Sequence, residues 1–260
     1  MVASILAWPG AVAIGVSLGL LGSGGSIITV PVLVYLLGQD EKLAIAGSLF
    51  IVGSIALVGS LQYIRLRMVD WRNVAIFGVP GMAGTWLGAY FAAWVPGIAQ
   101  LSLFAVVMLL AAILMLRPVD LTATQATRRQ GWKIASDGLV VGIVTGLVGV
   151  GGGFLIVPAL VLLGGLAIHT AVATSLVIIA LKSFSGFIKY LDVLEAQQLS
   201  LDWPILLVVT MLGIGGSIAG AQIASRLPQQ QLKRGFGFFL VVMGIYILAQ
   251  SIPQVLQLAF

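Results

Sequence analysis

Two glycine clusters and one lysine carry most of the chemistry open to this chain. The first cluster is Gly22-Ser23-Gly24-Gly25-Ser26. The second is Gly149-Val150-Gly151-Gly152-Gly153. Each holds a Gly-Gly pair followed six residues on by a proline, Pro31 or Pro158. Both clusters interrupt apolar stretches. Glycine costs about 1 kcal/mol against alanine inside a helix, so a cluster marks a break. Lipid cannot satisfy the backbone groups a break frees, so they must be buried in protein or line a cavity. Half-helices starting near Ser26 and Phe154 would present free N–H groups and a positive dipole end there. Glycine lets a ligand approach the backbone closely. The hydroxyls of Ser23 and Ser26 add donors in the first cluster, where the second has Val150 and Gly153. This chemistry suits a small anion. Close helix packing is the competing use of such glycines.

Lys182 lies about a dozen residues into an apolar block, which puts it near mid-depth. A cation there is rare, faces a bundle interior or cavity, and marks a functional site by default. The alternative is a shifted block in which Lys182 snorkels to an interface, as Lys189 and Tyr190 are expected to do. Ser48 and Ser175 closely follow the two clusters and could line the same site. Serines in membrane helices also bond their own helix. The expected anion site is therefore Gly22, Ser23, Gly24, Gly25, Ser26, Ser48, Gly149, Gly151, Gly152, Gly153, Ser175 and Lys182. No acidic residue is expected within any apolar block, which argues against a buried-carboxylate cation or metal carrier. Cysteine is absent and His169 is the single histidine, so thiolate and His-rich metal sites are excluded, and no cofactor is expected.

The elements that must position these residues belong in a membrane. Hydrophobic residues make up 60% of the 260 and charged ones 8%, against about 25% charged in soluble domains. Val74 to Leu116 contains no charged residue, far more than the roughly 20 needed to cross a bilayer. No cleavable signal peptide is expected, because a charged n-region is missing. The net charge of +5 reads as loop charge setting topology rather than as a nucleic-acid footprint.

Shifted by 127 residues, the sequence matches itself. Gly15, Gly19 and Gly22 fall on Gly142, Gly146 and Gly149, Ser48-Leu49 on Ser175-Leu176, and Tyr63 on Tyr190. After a five-residue insertion, Asp70-Trp71 falls on Asp202-Trp203, and Gly81, Gly84 and Gly88 on Gly213, Gly216 and Gly220. Two equivalent halves follow, 1–117 and 132–260, joined by a polar cytoplasmic linker, 118–131. Each half has four apolar blocks: 10–37, 43–64, 72–95 and 99–116, then 133–165, 170–190, 203–225 and 233–251. The first block of each half is expected as two pieces of about a dozen residues around the glycines, neither long enough to span. Trp8, Trp71, Trp94, Trp132 and Trp203 fall at block ends, as an aromatic belt would.

Loop charges orient the halves. Arg65, Arg67 and Arg72 mark loop 65–72 as cytoplasmic, whereas its equivalent, 191–202, carries Asp192, Glu195 and Asp202. The opposite bias predicts inverted-topology repeats, and it requires each broken block to be a hairpin. The expected fold is an all-α integral membrane protein of two inverted repeats, each a Gly-broken helical hairpin plus three transmembrane helices. The hairpin tips are expected to meet near the midplane.

The paired Gly-rich segments, each followed by Ala-x-Ala-x-Ser-Leu (44–49 and 171–176), resemble the TauE/SafE sulfite exporter family over essentially the whole chain. The resemblance implies a multi-pass permease of the cell (inner) membrane for sulfite, organosulfonates or related small sulfur-containing anions. A secondary transporter is expected, rocking one half against the other about the glycine breaks. Its partners are the anion and membrane lipid, with room for a coupling proton and a homodimer. No P-loop pattern for ATP hydrolysis is present, and an enzyme is not expected. A channel for small anions or other small solutes is the alternative.

Overall fold

The computed structural model describes residues 7–21, 25–116, 130–149, 153–162, 166–224 and 229–259. Ten helices and no strand occur among them. In chain order they are α1 (Ala7–Leu21), α2 (Gly25–Leu36), α3 (Glu41–Arg65), α4 (Trp71–Ala92), α5 (Gly97–Leu116), α6 (Gly131–Val148), α7 (Gly153–Leu162), α8 (Ile168–Ala196), α9 (Trp203–Ala224) and α10 (Gln229–Ala259). The last turns of α2, from Val32, and the stretch Val74–Gly78 of α4 are π-helical. Helices α3, α4, α6, α8 and α9 are long and apolar enough to cross a membrane. The chain is a multi-pass helical membrane protein.

The expected dozen-residue pieces are corrected in the second hairpin. Its first arm, α6, has 18 residues and is itself long enough to span. Trp132 and Lys133 are compatible with the first turn of a helix, so α6 begins ahead of the apolar run. The two Asp-Trp repeats prove to be helix starts. Asp70 accepts a hydrogen bond from the Asn73 backbone N–H at 3.1 Å, and Asp202 from that of Ile205 at 3.2 Å. Such caps satisfy helix-end donors that would otherwise go unpaired. Trp71 and Trp203 beside them are exposed, as are Trp8, Trp94 and Trp132.

Glycines set how closely the helices pack. A Cβ on Gly15 would lie 1.9 Å from the Gly213 carbonyl oxygen, and one on Gly19 would lie 2.0 Å from that of Ser217. These contacts make α1 and α9 parallel neighbours at backbone distance. The same holds for α6 on α4, where Cβ atoms on Gly142 and Gly146 would lie 2.4 and 2.2 Å from the Gly81 and Thr85 oxygens. Helices α3 and α8 run antiparallel: Gly53 faces Ser183 and Phe184, whereas Gly186 faces Leu49. Helices α5 and α10 are antiparallel too, with Gly237 on Leu116 and Gly244 on Leu109. Helix α3 lies parallel to α9 (Gly47 on Leu206, Ile55 on Gly213), and α8 lies parallel to α4 (Lys182 on Gly81, Gly186 on Thr85).

Candidate functional site

Lys182 lies near the midpoint of α8 and is fully buried. Its Nζ has no hydrogen-bond partner. A Cβ built on Gly81 would lie 3.1 Å from its Cδ and 3.4 Å from the Gly138 carbonyl oxygen, so the stem fills the crevice where α8, α4 and α6 meet. The crevice exists because residue 81 carries no side chain; Gly138 in turn lets α6 approach the Phe77 backbone. The buried placement, not the snorkelling one, is therefore what the fold builds. The expectation of no acidic residue within the apolar blocks is corrected: Asp137, next to Gly138, lies on α6 and is half-buried. It sits about two turns into α6, short of the centre of the helix.

The second glycine cluster shows a different geometry. Gly149 ends α6 with φ at +72°, and its N–H donates to the Thr145 carbonyl at 2.9 Å. Left-handed backbone favours glycine. A Cβ here would also lie 1.9 Å from Cγ2 of Ile45. The Ser48 hydroxyl lies 2.5 Å from the Gly149 carbonyl oxygen and 2.8 Å from that of Ile45, and donates to them. Two residues earlier, the Leu147 carbonyl accepts from Gln100 Nε2 at 2.9 Å and from the Tyr190 hydroxyl at 3.2 Å. Three helices, α3, α5 and α8, thus converge on the end of α6.

Tyr190 was expected at an interface, but it is completely buried. Its ring faces inward because its hydroxyl finds the open carbonyls at the end of α6, which water would otherwise have to satisfy. Gln100 is equally buried. As the one amide in the block 99–116, it is the signal that sequence reasoning passed over. Lys42 is also buried, and its Nζ donates to the Ala92 and Val95 carbonyls at the end of α4. It lines an open cavity of about 390 Å³ with Asp40, Glu41, Trp94 and Gln197.

The structure joins Ser48 to Gly149 but does not bring Lys182 to them. Gly138, beside the Lys182 stem, precedes Gly149 by eleven residues, roughly 16 Å of helix. The expected meeting of the tips falls on 22–24 and 150–152, outside the described residues; the helix ends that flank them sit at different levels of α3. Gly149 packs on Ile45 near the start of α3, whereas Gly19 packs on Ser217, which adjoins Gly59 near the other end of α3. The 14 residues between Ile45 and Gly59 span roughly 21 Å.

Gly25 and Ser26 begin α2 and are buried; Gly153 begins α7 and is buried. Ser175 is buried and bonds its own helix at the Val172 carbonyl, 2.8 Å away. Gly22, Ser23, Gly24, Gly151, Gly152 and the linker 118–129 lie outside the described residues.

The family model for the sulfite exporter TauE/SafE matches residues 7–247. A "Probable membrane transporter protein" of Xylella fastidiosa strain Temecula1 is 33% identical over 246 residues, covering 92% of each chain. The "Probable membrane transporter protein YunE" of Bacillus subtilis strain 168 is 29% identical over 258 residues, covering 90% of this chain and 93% of its own. No solved structure matches.

Proposed function

Because the chain belongs to the TauE/SafE sulfite exporter family of membrane transporters, we propose that it is a secondary permease for sulfite, an organosulfonate or a similar small sulfur-containing anion. It would work in the cell (inner) membrane on a proton or ion gradient. The observation that carries this reading is Lys182, a buried cationic side chain at mid-depth whose Nζ has no partner. A charge there is costly unless paired, and a small anion supplies the missing partner. Gly25 and Ser26 at the start of α2, and Ser48 with Gly149, are further candidates to line its path.

The two halves are inverted repeats in this reading. The support is which helices meet and in what direction. Repeat-equivalent helices α3 and α8 meet antiparallel, as do α5 and α10. The seam of Gly15 on Gly213 corresponds, residue for residue, to that of Gly142 on Gly81. An axis in the membrane plane produces such pairings. Arg65, Arg67, Arg72 and Lys133 lie at one end of the bundle; Asp40, Glu41, Asp192, Glu195 and Asp202 lie at the other. By the positive-inside rule the first end faces the cytoplasm.

The packing supports a different pair of moving bodies from the two halves. The two backbone-level seams each join a hairpin arm of one half to a helix of the other, so halves rocking apart would open both. The moving units are instead composite: α1, α3 and α9 against α4, α6 and α8.

Two measurements test this reading. Sulfite or a short sulfonate raises the thermal unfolding temperature of the detergent-solubilised protein, whereas chloride at equal ionic strength does not; equal effects would remove the anion selectivity. Reporter fusions at Met68 and Gln198 report opposite sides of the membrane; the same side for both would sink the inversion.

A further inference from the structure

We propose that the anion is bound where α3 crosses α8, with the hydroxyl of Ser183 facing Gly53 as a direct donor to it. This rests on the transporter reading above and adds a residue and a place to it. Ser183 is fully buried and its Oγ has no hydrogen-bond partner. Among the described buried hydroxyls it shares this only with Ser251, which lies near the end of α10 and away from mid-depth. Thr29, Ser48, Ser60, Thr85, Thr145, Ser175 and Thr210 all donate to a carbonyl three or four residues back. Ser183 leaves that local bond unmade. A buried hydroxyl without a partner costs free energy that an acceptor would recover.

The hydroxyl carbon faces the opposite helix. A Cβ on Gly53 would lie 3.1 Å from Ser183 Cβ and 3.5 Å from the Phe184 ring. Gly53 is the central residue of α3, and Ser183 is one residue past the middle of α8. The crossing is thus at mid-depth in both helices. It also joins the two composite bundles, since α3 packs with α9 and α8 packs with α4. A solute held there meets both moving bodies, as alternating access requires.

The repeat counterparts of Gly53 and Ser183 are Ala180 and Ala56, both buried. Four small residues therefore surround the crossing, and a hydroxyl comes from one of them. The site is asymmetric, and it offers a neutral donor beside the adjacent Lys182, whose amine has no partner either. An oxyanion can take a hydrogen bond from such a hydroxyl, and a halide of similar size takes it less well.

The test is equilibrium binding of radiolabelled sulfite to the full-length protein in detergent. Ser183→Ala is expected to weaken binding at least fivefold and Ser183→Thr to keep it within twofold of the unmodified chain. Ser60→Ala, which removes a hydroxyl bonded to its own helix, leaves binding unchanged. Should Ser183→Ala not be recovered folded, Ser183→Cys replaces it, since its weak thiol donor is also expected to reduce binding. Wild-type affinity in the variant that lacks the hydroxyl overturns this assignment and leaves the transporter reading intact. Binding of neither sulfite, thiosulfate nor a short sulfonate by the unmodified chain overturns the transporter reading and this assignment with it.

Discussion

Lys182→Met removes transport of the sulfur anion, lowering the initial rate of sulfite uptake into proteoliposomes at least tenfold, without lowering the stability of the protein. Methionine keeps an unbranched stem of similar length, so the crevice between Gly81 and Gly138 stays filled. Only the terminal nitrogen is lost. That nitrogen is buried and unpartnered, and leaving such a group unsatisfied costs roughly 1–3 kcal/mol. Its removal therefore leaves the unfolding temperature unchanged or raises it. Replacement of buried charges by apolar groups of similar volume is often neutral or stabilising. The two effects have opposite signs, and that separates a binding role from a structural one. A lysine needed only for packing would lose stability along with activity in Lys182→Ala and lose neither in Lys182→Met. Uptake by Lys182→Met at the wild-type rate would remove Lys182 from the site.

Gly15→Ala is expected to be the most damaging of the small substitutions to the fold. Its added methyl would stand 1.9 Å from the Gly213 carbonyl oxygen, and neither backbone can turn away as a side chain could. Helices α1 and α9 must separate along the whole seam, which also holds Gly19, Gly216 and Gly220 at backbone distance. Overpacking of this kind costs about 1–3 kcal/mol and sometimes more. Because membrane helices associate largely through such close contact, the expected result is a clear drop in unfolding temperature, read by heating and size-exclusion chromatography in detergent. Gly146→Ala on the α4–α6 seam behaves alike. Gly215→Ala is the control: nothing lies within 4 Å of its added Cβ. Equal stability of Gly15→Ala and Gly215→Ala would show that the seam is not load-sensitive.

Much of the architecture was legible in the residues because a membrane restricts what a chain can do. Apolar length gave four of the five helices long enough to span, α3, α4, α8 and α9, and Trp71 and Trp203 marked the block ends at which α4 and α9 begin. The repeat was legible too, but its meaning was not. Gly15 and Gly142 are matched by sequence, as are Gly81 and Gly213. That each pair supplies partners to the other, Gly15 to Gly213 and Gly142 to Gly81, follows from helix packing, which periodicity along one helix does not encode.

The site was legible only in part. Lys182 stood out because any cation in an apolar block does, and the structure buries it. Its distance from Gly149 was hidden, because α6 is longer than its apolar run. Tyr190 looked interfacial beside Lys189, but Lys189 pairs with the exposed Asp192 at 2.7 Å, while Tyr190 turns inward to the Leu147 carbonyl. Neighbouring residues on a helix point about 100° apart, so they can serve water and core at once. Ser183 was one serine among many until its missing local bond distinguished it.

The central claim, a carrier of small sulfur-containing anions, is tested most directly by counterflow. Proteoliposomes containing the purified chain are loaded with unlabelled sulfite and diluted into a trace of labelled sulfite without any imposed ion gradient. The account predicts transient accumulation of label that saturates with internal sulfite, is also driven by internal thiosulfate or a short sulfonate, and is lost in Lys182→Met. Label that only equilibrates, at a rate proportional to concentration and without overshoot, would mean an open pore or no transport of these anions, and would contradict it.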